Sequence, residues 1–182
     1  MRIPAPPDAL RVARALTRLT QREAAQEANV LHRYLSTVET SDLLLNVNLE
    51  MVDFYTRRGL QMLGDASIGK EFARAGAKWA APSGPDASAA EKAKYHHEDH
   101  PIPFRAARAL VNLKQTEIAL AAGLSLKTVK LLEQGARLEG SHETLRGHYE
   151  RLGLEFTGWG DAATGRFYGI GVRWRPRSPD VL

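Results

Sequence analysis

The stretch LKQTEIALAAGLSLKTVKLLEQG, from Leu113 to Gly135, contains two helical patterns separated by Ala-Ala-Gly-Leu-Ser. The spacing of apolar residues in the first pattern predicts a helix from Gln115 to Ala122, with Ile118 and Ala119 facing the core. Ala119 is small, so a second helix can cross close to the first. The stretch therefore predicts two short helices that pack closely against each other.

The break between the two patterns has the composition of a tight turn. Gly123 can adopt the left-handed backbone conformation that ends a helix. Ser125 is a good N-cap for the following helix, which we predict from Leu126 to Gln134 and which Gly135 can close. The residues of this second helix that we expect to face the core are Val129 and Leu132.

The flanking sequence adds further elements to this helix pair. The segment FRAARALVNL predicts an earlier helix with Phe104, Ala107 and Leu110 on one face. Ser141 can cap a fourth helix that continues to Leu152. The segments GLEFTGW and GRFYGIGVRW are typical of two strands joined by the turn GDAATG. This part of the chain is therefore predicted as four helices followed by a β-hairpin, which must pack together because neither short helices nor lone hairpins are stable in isolation.

The same arrangement occurs 94 residues earlier. RVARALTRLTQREAAQEANV aligns without a gap with RAARALVNLKQTEIALAAGL, and after one extra residue EFARAGAKW (71–79) aligns with RFYGIGVRW (166–174). So many matches in one register predict an internal duplication. The matched residues are Arg11, Arg14, Leu16, Leu19, Gln21, Glu23, Ala25, Ala28, Glu39, Tyr55, Phe72, Gly76 and Trp79, with Arg105, Arg108, Leu110, Leu113, Gln115, Glu117, Ala119, Ala122, Glu133, Tyr149, Phe167, Gly171 and Trp174 respectively.

The first copy departs from the second in its turn and cap residues. Asn29 stands where the second copy has the turn glycine, and asparagine tolerates the left-handed conformation. Leu31 replaces the N-cap serine, which costs about 1 kcal/mol of capping. Thr40 and Ser41 replace Gln134-Gly135. We expect the same fold in the first copy, with a less ideal third helix.

Residues 80–104 lie between the copies and are punctuated by prolines, with an acidic excess where both flanks are basic. This composition predicts a linker containing a short helical turn, and hence domains at 1–79 and 105–182. The linker carries a cluster of possible metal ligands, for which we favour a solvated turn because no ligand spacing of a known site is present. The cluster consists of His96, His97, Glu98, Asp99 and His100.

Composition narrows the classes of function. The 182 residues include no cysteine and carry a formal net charge of +4, which permits nucleic-acid binding without requiring it. No segment has the length of a signal peptide core or a membrane span, so we expect a cytoplasmic protein. We find no glycine-rich phosphate loop, no cysteine nucleophile and no constellation of paired carboxylates, and GIG at 169–171 does not open a helix. We therefore predict neither an enzyme nor a cofactor or metal site.

The helix pair resembles the helix-turn-helix signature of the Cro-like, XRE-type DNA-binding family. The resemblance covers roughly 11–57 and 105–151, and is clearer in the second copy. It implies a fold that is mainly α with small β: two repeated helix-turn-helix domains with hairpins that can share a sheet. The residues that carry it are Leu113, Gln115, Ile118, Ala119, Gly123, Leu124, Ser125, Val129, Leu132, Glu133 and Gly135, and Leu19, Thr20, Gln21, Ala25, Val30, Leu35, Val38 and Glu39.

The resemblance implies sequence-specific binding to double-stranded DNA by the third helix of each copy. Arg33 can donate two hydrogen bonds to guanine, Lys127 can reach guanine, and Leu126 can contact only a thymine methyl. The start of each second helix is expected to anchor a phosphate. The candidate contacts are Gln21, Arg22, His32, Arg33, Ser36 and Thr37 in the first copy, and Lys114, Gln115, Ser125, Leu126, Lys127, Thr128 and Lys130 in the second.

Several alternatives remain open on sequence alone. The leading hypothesis is a repressor that acts as a covalent pseudo-dimer on two unlike half-sites, although the hairpin edges could equally join two chains. The other is a protein-interaction module, such as an antitoxin or anti-activator, and polymerase or another regulator is a further possible partner. The repeated tryptophans are expected in a core or interface. The arginines whose roles are open are Arg11, Arg14, Arg105 and Arg108, which can form a solvated helix face, and Arg173, Arg175 and Arg177, which can contact DNA.

Overall fold

The computed structural model describes residues 3–65 and 73–176, with nine helices and four strands in those ranges. Helices predominate, but the sheet joins the two halves, so the fold is mixed α and β and the expected class, mainly α with small β, is only roughly right. The elements are α1 (Pro7–Leu16), α2 (Gln21–Glu27), α3 (His32–Val38), α4 (Leu45–Arg57), β1 (Leu60–Asp65), β2 (Ala73–Trp79), α5 (Ala89–Lys92), α6 (Phe104–Val111), α7 (Gln115–Ala122), α8 (Leu126–Glu133), α9 (Glu139–Arg151), β3 (Leu154–Asp161) and β4 (Arg166–Trp174).

The two short helices predicted between Leu113 and Gly135 are formed, as α7 and α8. Helix α7 ends at Gly123, whose φ of 67° lies in the left-handed region. The hydroxyl of Ser125 then accepts a hydrogen bond from the backbone N–H of Thr128 at 3.0 Å, which caps α8. The predicted inward residues Ile118, Ala119, Val129 and Leu132 are all buried.

The first copy forms the same pair with the expected weaker cap. Asn29 adopts a φ of 56° in the turn. Leu31 occupies the N-cap position of α3 without a side-chain hydrogen bond, and α3 has seven residues where α8 has eight. One cap prediction is wrong. Helix α9 begins at Glu139, and the N–H of His142 bonds to the carbonyl of Leu138, so Ser141 lies inside the first turn rather than before it.

The two hairpins lie side by side in one antiparallel sheet with the strand order β1-β2-β4-β3. The inner strands pair Gly76 with Arg173 and Lys78 with Gly171. A Cβ atom on Gly76 would lie 2.1 Å from the carbonyl oxygen of Val172, and one on Gly171 would lie 2.3 Å from that of Ala77. Only glycine at both positions therefore permits this approach of β2 and β4. The turn between β1 and β2, the matched Phe72 and the tail residue Arg177 fall outside the described residues.

A single hydrophobic core runs through both halves. Helix α1 packs against α6, and α1 also packs on β2. Leu10, Leu35 and Tyr55 from the first half and Leu110 and Leu145 from the second are among its fully buried members. Trp79 is buried in this core, as expected of the repeated tryptophans. The segments assigned to two domains thus share one core.

Residues 80–104 make specific contacts along the second hairpin. Helix α5 places the amine of Lys92 3.4 Å from the carboxylate of Asp161. Glu98 pairs with Phe167 through two backbone hydrogen bonds of 2.9 Å. The ring of His96 stacks on Trp79 with 3.7 Å between centroids. The linker therefore follows one path along this hairpin, and the histidine cluster that we expected to form a solvated turn is partly exposed and partly packed. Within the described ranges, no helix combines the length and apolar character needed to cross a bilayer.

Candidate nucleic-acid interface

A buried cluster of polar side chains fixes α3 against α1 and α2. The carboxylate of Glu39 accepts hydrogen bonds from Arg14 Nε at 2.6 Å, Arg14 Nη2 at 3.0 Å and Gln21 Nε2 at 2.6 Å. Arg14 Nη1 also donates to the carbonyl of Leu19 at 3.3 Å. Glu39 is 1% exposed. The cluster thus joins the end of α3 to the last turn of α1 and the start of α2.

The same cluster recurs in the second half, each partner 94 positions later. Glu133 accepts from Arg108 Nε at 2.5 Å, Arg108 Nη2 at 3.1 Å and Gln115 Nε2 at 2.7 Å. Burial opposes the charge on Arg108, but its hydrogen bonds to Glu133 more than offset this, so the pKa of Arg108 lies above its ordinary value. Both halves therefore hold the helix after the turn in the same way.

These clusters change two sequence-based interpretations. Arg11, Arg14 and Arg108 do not form a solvated helix face, because their side chains are largely buried in ion pairs. Gln21 and Gln115 were predicted to anchor phosphates, and in the structure each amide donates to a glutamate. An amide carries two N–H donors, so this bond uses one of them. The repeated Arg, Gln and Glu positions were visible in the alignment, but their mutual contact was not predicted.

The first turn of α3 presents a polar, cationic surface. His32 and Arg33 are exposed, and Arg22 is exposed on the neighbouring α2. Arg33 lies over the ring of Tyr34, with 4.9 Å between its guanidinium carbon and the ring centroid, and its Nη2 donates to the Tyr34 hydroxyl at 3.2 Å. Ser36 and Thr37 are half-buried. Tyr34 was missed by the sequence analysis, although its place after Arg33 could have suggested this contact.

The corresponding surface of the second half carries lysines. Lys127 and Lys130 on α8 and Lys114 before α7 are exposed, and none forms an ion pair with another described residue. Ser125 and Thr128 bond to each other as part of the helix cap. The candidate Leu126 is different, because it is half-buried and packs against the core. Leu126 is therefore not part of the exposed cationic surface of α8.

The basic tail and the histidine cluster have structural contacts. Arg173 donates to the carboxylate of Glu155 on the adjacent strand at 2.9 Å, while Arg175 is exposed. His96 bonds to Glu98 at 2.9 Å, and the His100 ring covers Gly135 so closely that a Cβ there would lie 2.1 Å from its Nε2. Among the residues that the structure describes, no three His, Cys, Asp or Glu side chains are grouped to hold one metal ion.

Comparison with models of protein families, with curated proteins and with solved structures found no match for this chain.

Proposed function

We propose that this protein is a sequence-specific, double-stranded DNA-binding transcriptional regulator in which α3 and α8 act as recognition helices. The observation that carries the proposal is the repeated Arg-Gln-Glu cluster. It fixes each of these helices by its buried end and leaves the opposite first turn exposed and cationic. A helix fits the major groove, and the side chains of its first turns reach base edges.

The two halves are proposed to be a covalent pseudo-dimer that arose by duplication. Supporting this, the order of four helices and two strands occurs twice, and the hairpins meet at the centre of one sheet. The two recognition surfaces differ in chemistry: Arg33 offers a guanidinium fork, and Lys127 offers a single ammonium. The operator is therefore expected to contain two unlike half-sites.

The remaining contacts are proposed to go to phosphates. Arg22 lies in the first turn of α2 and Lys114 at the N-cap of α7, and the N-terminal ends of helices favour anions. Lys130, Thr128, Ser36 and Thr37 lie on the recognition helices themselves. Occupying an operator in this way most simply gives repression in the cytoplasm, by excluding other proteins from the site.

Selection of bound sequences from a random duplex pool, followed by anisotropy titration of the winning duplex, tests this proposal. We expect a specific sequence to emerge, and affinity to fall with salt at a slope of about 0.9 per neutralised phosphate. Arg33→Ala and Lys127→Ala should each relax preference at one half-site, at a cost of about 1–3 kcal/mol. The matched controls are Arg166→Ala at the tip of the second hairpin and Lys94→Ala in the linker. If both recognition variants bind as the controls do, the proposal is wrong.

A protein partner is the second candidate, and one surface favours it. Leu43, Leu44 and Leu45, at the start of α4, are 65%, 41% and 55% exposed, and Leu44 has a left-handed φ of 61°. Consecutive exposed leucines on a monomer are unusual outside interaction sites. If the selection yields no preferred DNA sequence and the affinity depends only weakly on salt, protein interaction replaces DNA binding as the proposed function.

A further inference from the structure

Arg11 fills a defined site between the two halves. Its guanidinium donates to the carbonyl of Ala109 at 3.0 Å and the carbonyl of Glu39 at 2.5 Å. It also pairs with the carboxylate of Asp8 at 2.6 Å. The other oxygen of Asp8 accepts from the indole Nε1 of Trp174 at 2.9 Å. One carboxylate thus satisfies an arginine on α1 and a tryptophan on β4.

The equivalent site on the other side of the α1–α6 contact lacks its carboxylate. Arg105 stands 94 positions after Arg11, but the residue 94 positions after Asp8 is Ile102. Arg105 makes no hydrogen bond or ion pair with any residue that the structure describes. Burial is the largest effect opposing the positive charge on Arg105, and the neighbouring Arg108 and Arg14 add to it. The carboxylate of Glu133 favours the charge but does not offset these effects, so the pKa of Arg105 lies below its ordinary value.

The tryptophan of this second site is also unsatisfied. Trp79 aligns with Trp174, and its indole Nε1 is buried without a hydrogen-bond partner among the described residues. Burial opposes the charge on Glu98, but its hydrogen bond to His96, the nearby Arg18 and the Trp79 indole together lower its pKa, so the Glu98 carboxylate lies near Trp79 Nε1 without reaching hydrogen-bond geometry. Asp8 satisfies both an arginine and a tryptophan in one half, whereas in the other half Arg105 has no hydrogen-bond acceptor and Trp79 has only the imperfectly placed Glu98.

A cavity of about 300 Å³ lies beside Arg105 and Ile102, the counterparts of Arg11 and Asp8. Its walls include Ala15, Ile102 and Glu133, which stand 94 positions from contacts of Arg11, together with Arg105 itself. Leu16, Arg18 and Glu98 line both this cavity and the adjoining depression that contains Trp79. The apolar part of the wall includes Leu16, Ile102, Phe104, Leu132 and Ile170.

The acids near this cavity are already engaged. Glu133 is bonded to Arg108 and Gln115, and Glu98 is bonded to Arg18 and His96. Arg105 is thus the cation without a hydrogen-bonded anion, beside an apolar wall. A buried donor left without an acceptor costs free energy that a ligand can recover.

We propose that this cavity binds a small organic carboxylate with an apolar body, whose carboxylate pairs with Arg105 as Asp8 pairs with Arg11, beside the depression that contains Trp79. The site lies at the joint between the halves and beside the C-terminal end of α8. The ligand therefore contacts both halves of the chain at once. This inference is independent of DNA binding.

Titration of the full chain with benzoate, followed through the three tryptophan indole N–H resonances, tests the site. Benzamide has the same shape without the charge, and acetate has the charge without the apolar body. We expect benzoate to shift the Trp79 resonance saturably and to bind about tenfold or more tightly than either probe. The Trp174 resonance, held by Asp8, should not move. Trp79→Phe identifies the resonance.

Two variants complete the test. Arg105→Gln should weaken benzoate binding about tenfold or more, and Ile102→Asp should abolish it by supplying the carboxylate from within the chain. Circular dichroism of both variants confirms that they are folded, and Arg166→Ala is the matched control. The proposal is overturned if benzoate gives no saturable shift, if Arg105→Gln binds it unchanged, or if inorganic phosphate binds more tightly than benzoate. The samples contain no DNA, so failure here leaves the proposed function untouched.

Discussion

Glu39 and Glu133 are charged side chains buried in the interior, and each is neutralised by an arginine and bonded by a glutamine. A buried charge is tolerated only when it is paired and hydrogen-bonded. The adjacent Tyr55 and Tyr149 hydroxyls are also buried, and burial raises the pKa of both phenols well above the ordinary value. The interior beside each cluster is therefore a poor medium for an unpaired charge.

We accordingly predict that Glu133→Ala destabilises the protein by about 3–5 kcal/mol, because it leaves Arg108 buried without its partner. Urea unfolding followed by circular dichroism measures the change. The control is Glu150→Ala, which removes an exposed pair with Arg146 at 3.0 Å and should cost less than about 1 kcal/mol. Equal losses in the two variants would show that the Glu133 cluster does not hold the second half together.

At the level of single elements, the different N-caps of α3 and α8 allow opposite changes in the free energy of unfolding to be predicted. Leu31 is 54% exposed at the N-cap of α3, so Leu31→Ser removes little packing and adds the missing capping hydroxyl. We expect it to raise the free energy of unfolding by about 1 kcal/mol, and Ser125→Ala to lower it by a similar amount. Ser141→Ala, inside the first turn of α9, should change it by less than about 0.5 kcal/mol. Thermal unfolding of the three variants under matched conditions gives these differences. A Leu31→Ser variant less stable than wild type, or a Ser125→Ala variant as stable as wild type, would refute the assignment of the caps.

The second hairpin provides a prediction about pH. A hydrogen bond from Arg173 lowers the pKa of Glu155, against a smaller opposing effect of burial. A carboxyl with a lowered folded pKa stabilises the fold above its unfolded pKa of about 4.3 and loses that contribution as pH falls toward the folded value. Wild type should therefore exceed Glu155→Gln in stability at pH 7, by less than about 1 kcal/mol for so exposed a pair, and the difference should shrink below about pH 4. Urea unfolding across pH 3–7 checks this, and a difference that grows on acidification would contradict it.

The elements could be predicted because their signals are local. Apolar spacing placed α7 and α8, and Gly123 and Ser125 marked the turn between them. The cap of α9 was predicted wrongly because Ser141 is a good cap residue, but the chain enters that helix at Leu138. The pairing of Arg14 with Glu39 joins residues far apart in sequence, and periodicity carries no signal for such contacts. The replacement of Asp8 by Ile102 in the second half could not be interpreted from sequence, because the contacts of Asp8 with Arg11 and Trp174 are visible only in the structure.

At the scale of the whole molecule, the join between the halves depends on two glycines. Because a Cβ on Gly171 would overlap the backbone of β2, Gly171→Ala should force β2 and β4 apart and cost at least about 1–3 kcal/mol. Gly84→Ala in the linker is the control, since no atom lies within 4 Å of its Cβ position. Thermal unfolding compares the two, and a Gly171 variant as stable as the Gly84 variant would show that the halves do not meet through this seam.

We propose above all that one chain carries two unlike DNA-recognition helices in a fixed relation. Hydroxyl-radical footprinting of the selected duplex, with the mass of the complex measured by light scattering on the same sample, tests it most directly. The account predicts one 20.1 kDa chain per duplex and two different protected half-sites about one duplex turn, roughly 34 Å, apart. Two chains on a symmetric site, or protection of a single half-site only, would contradict it.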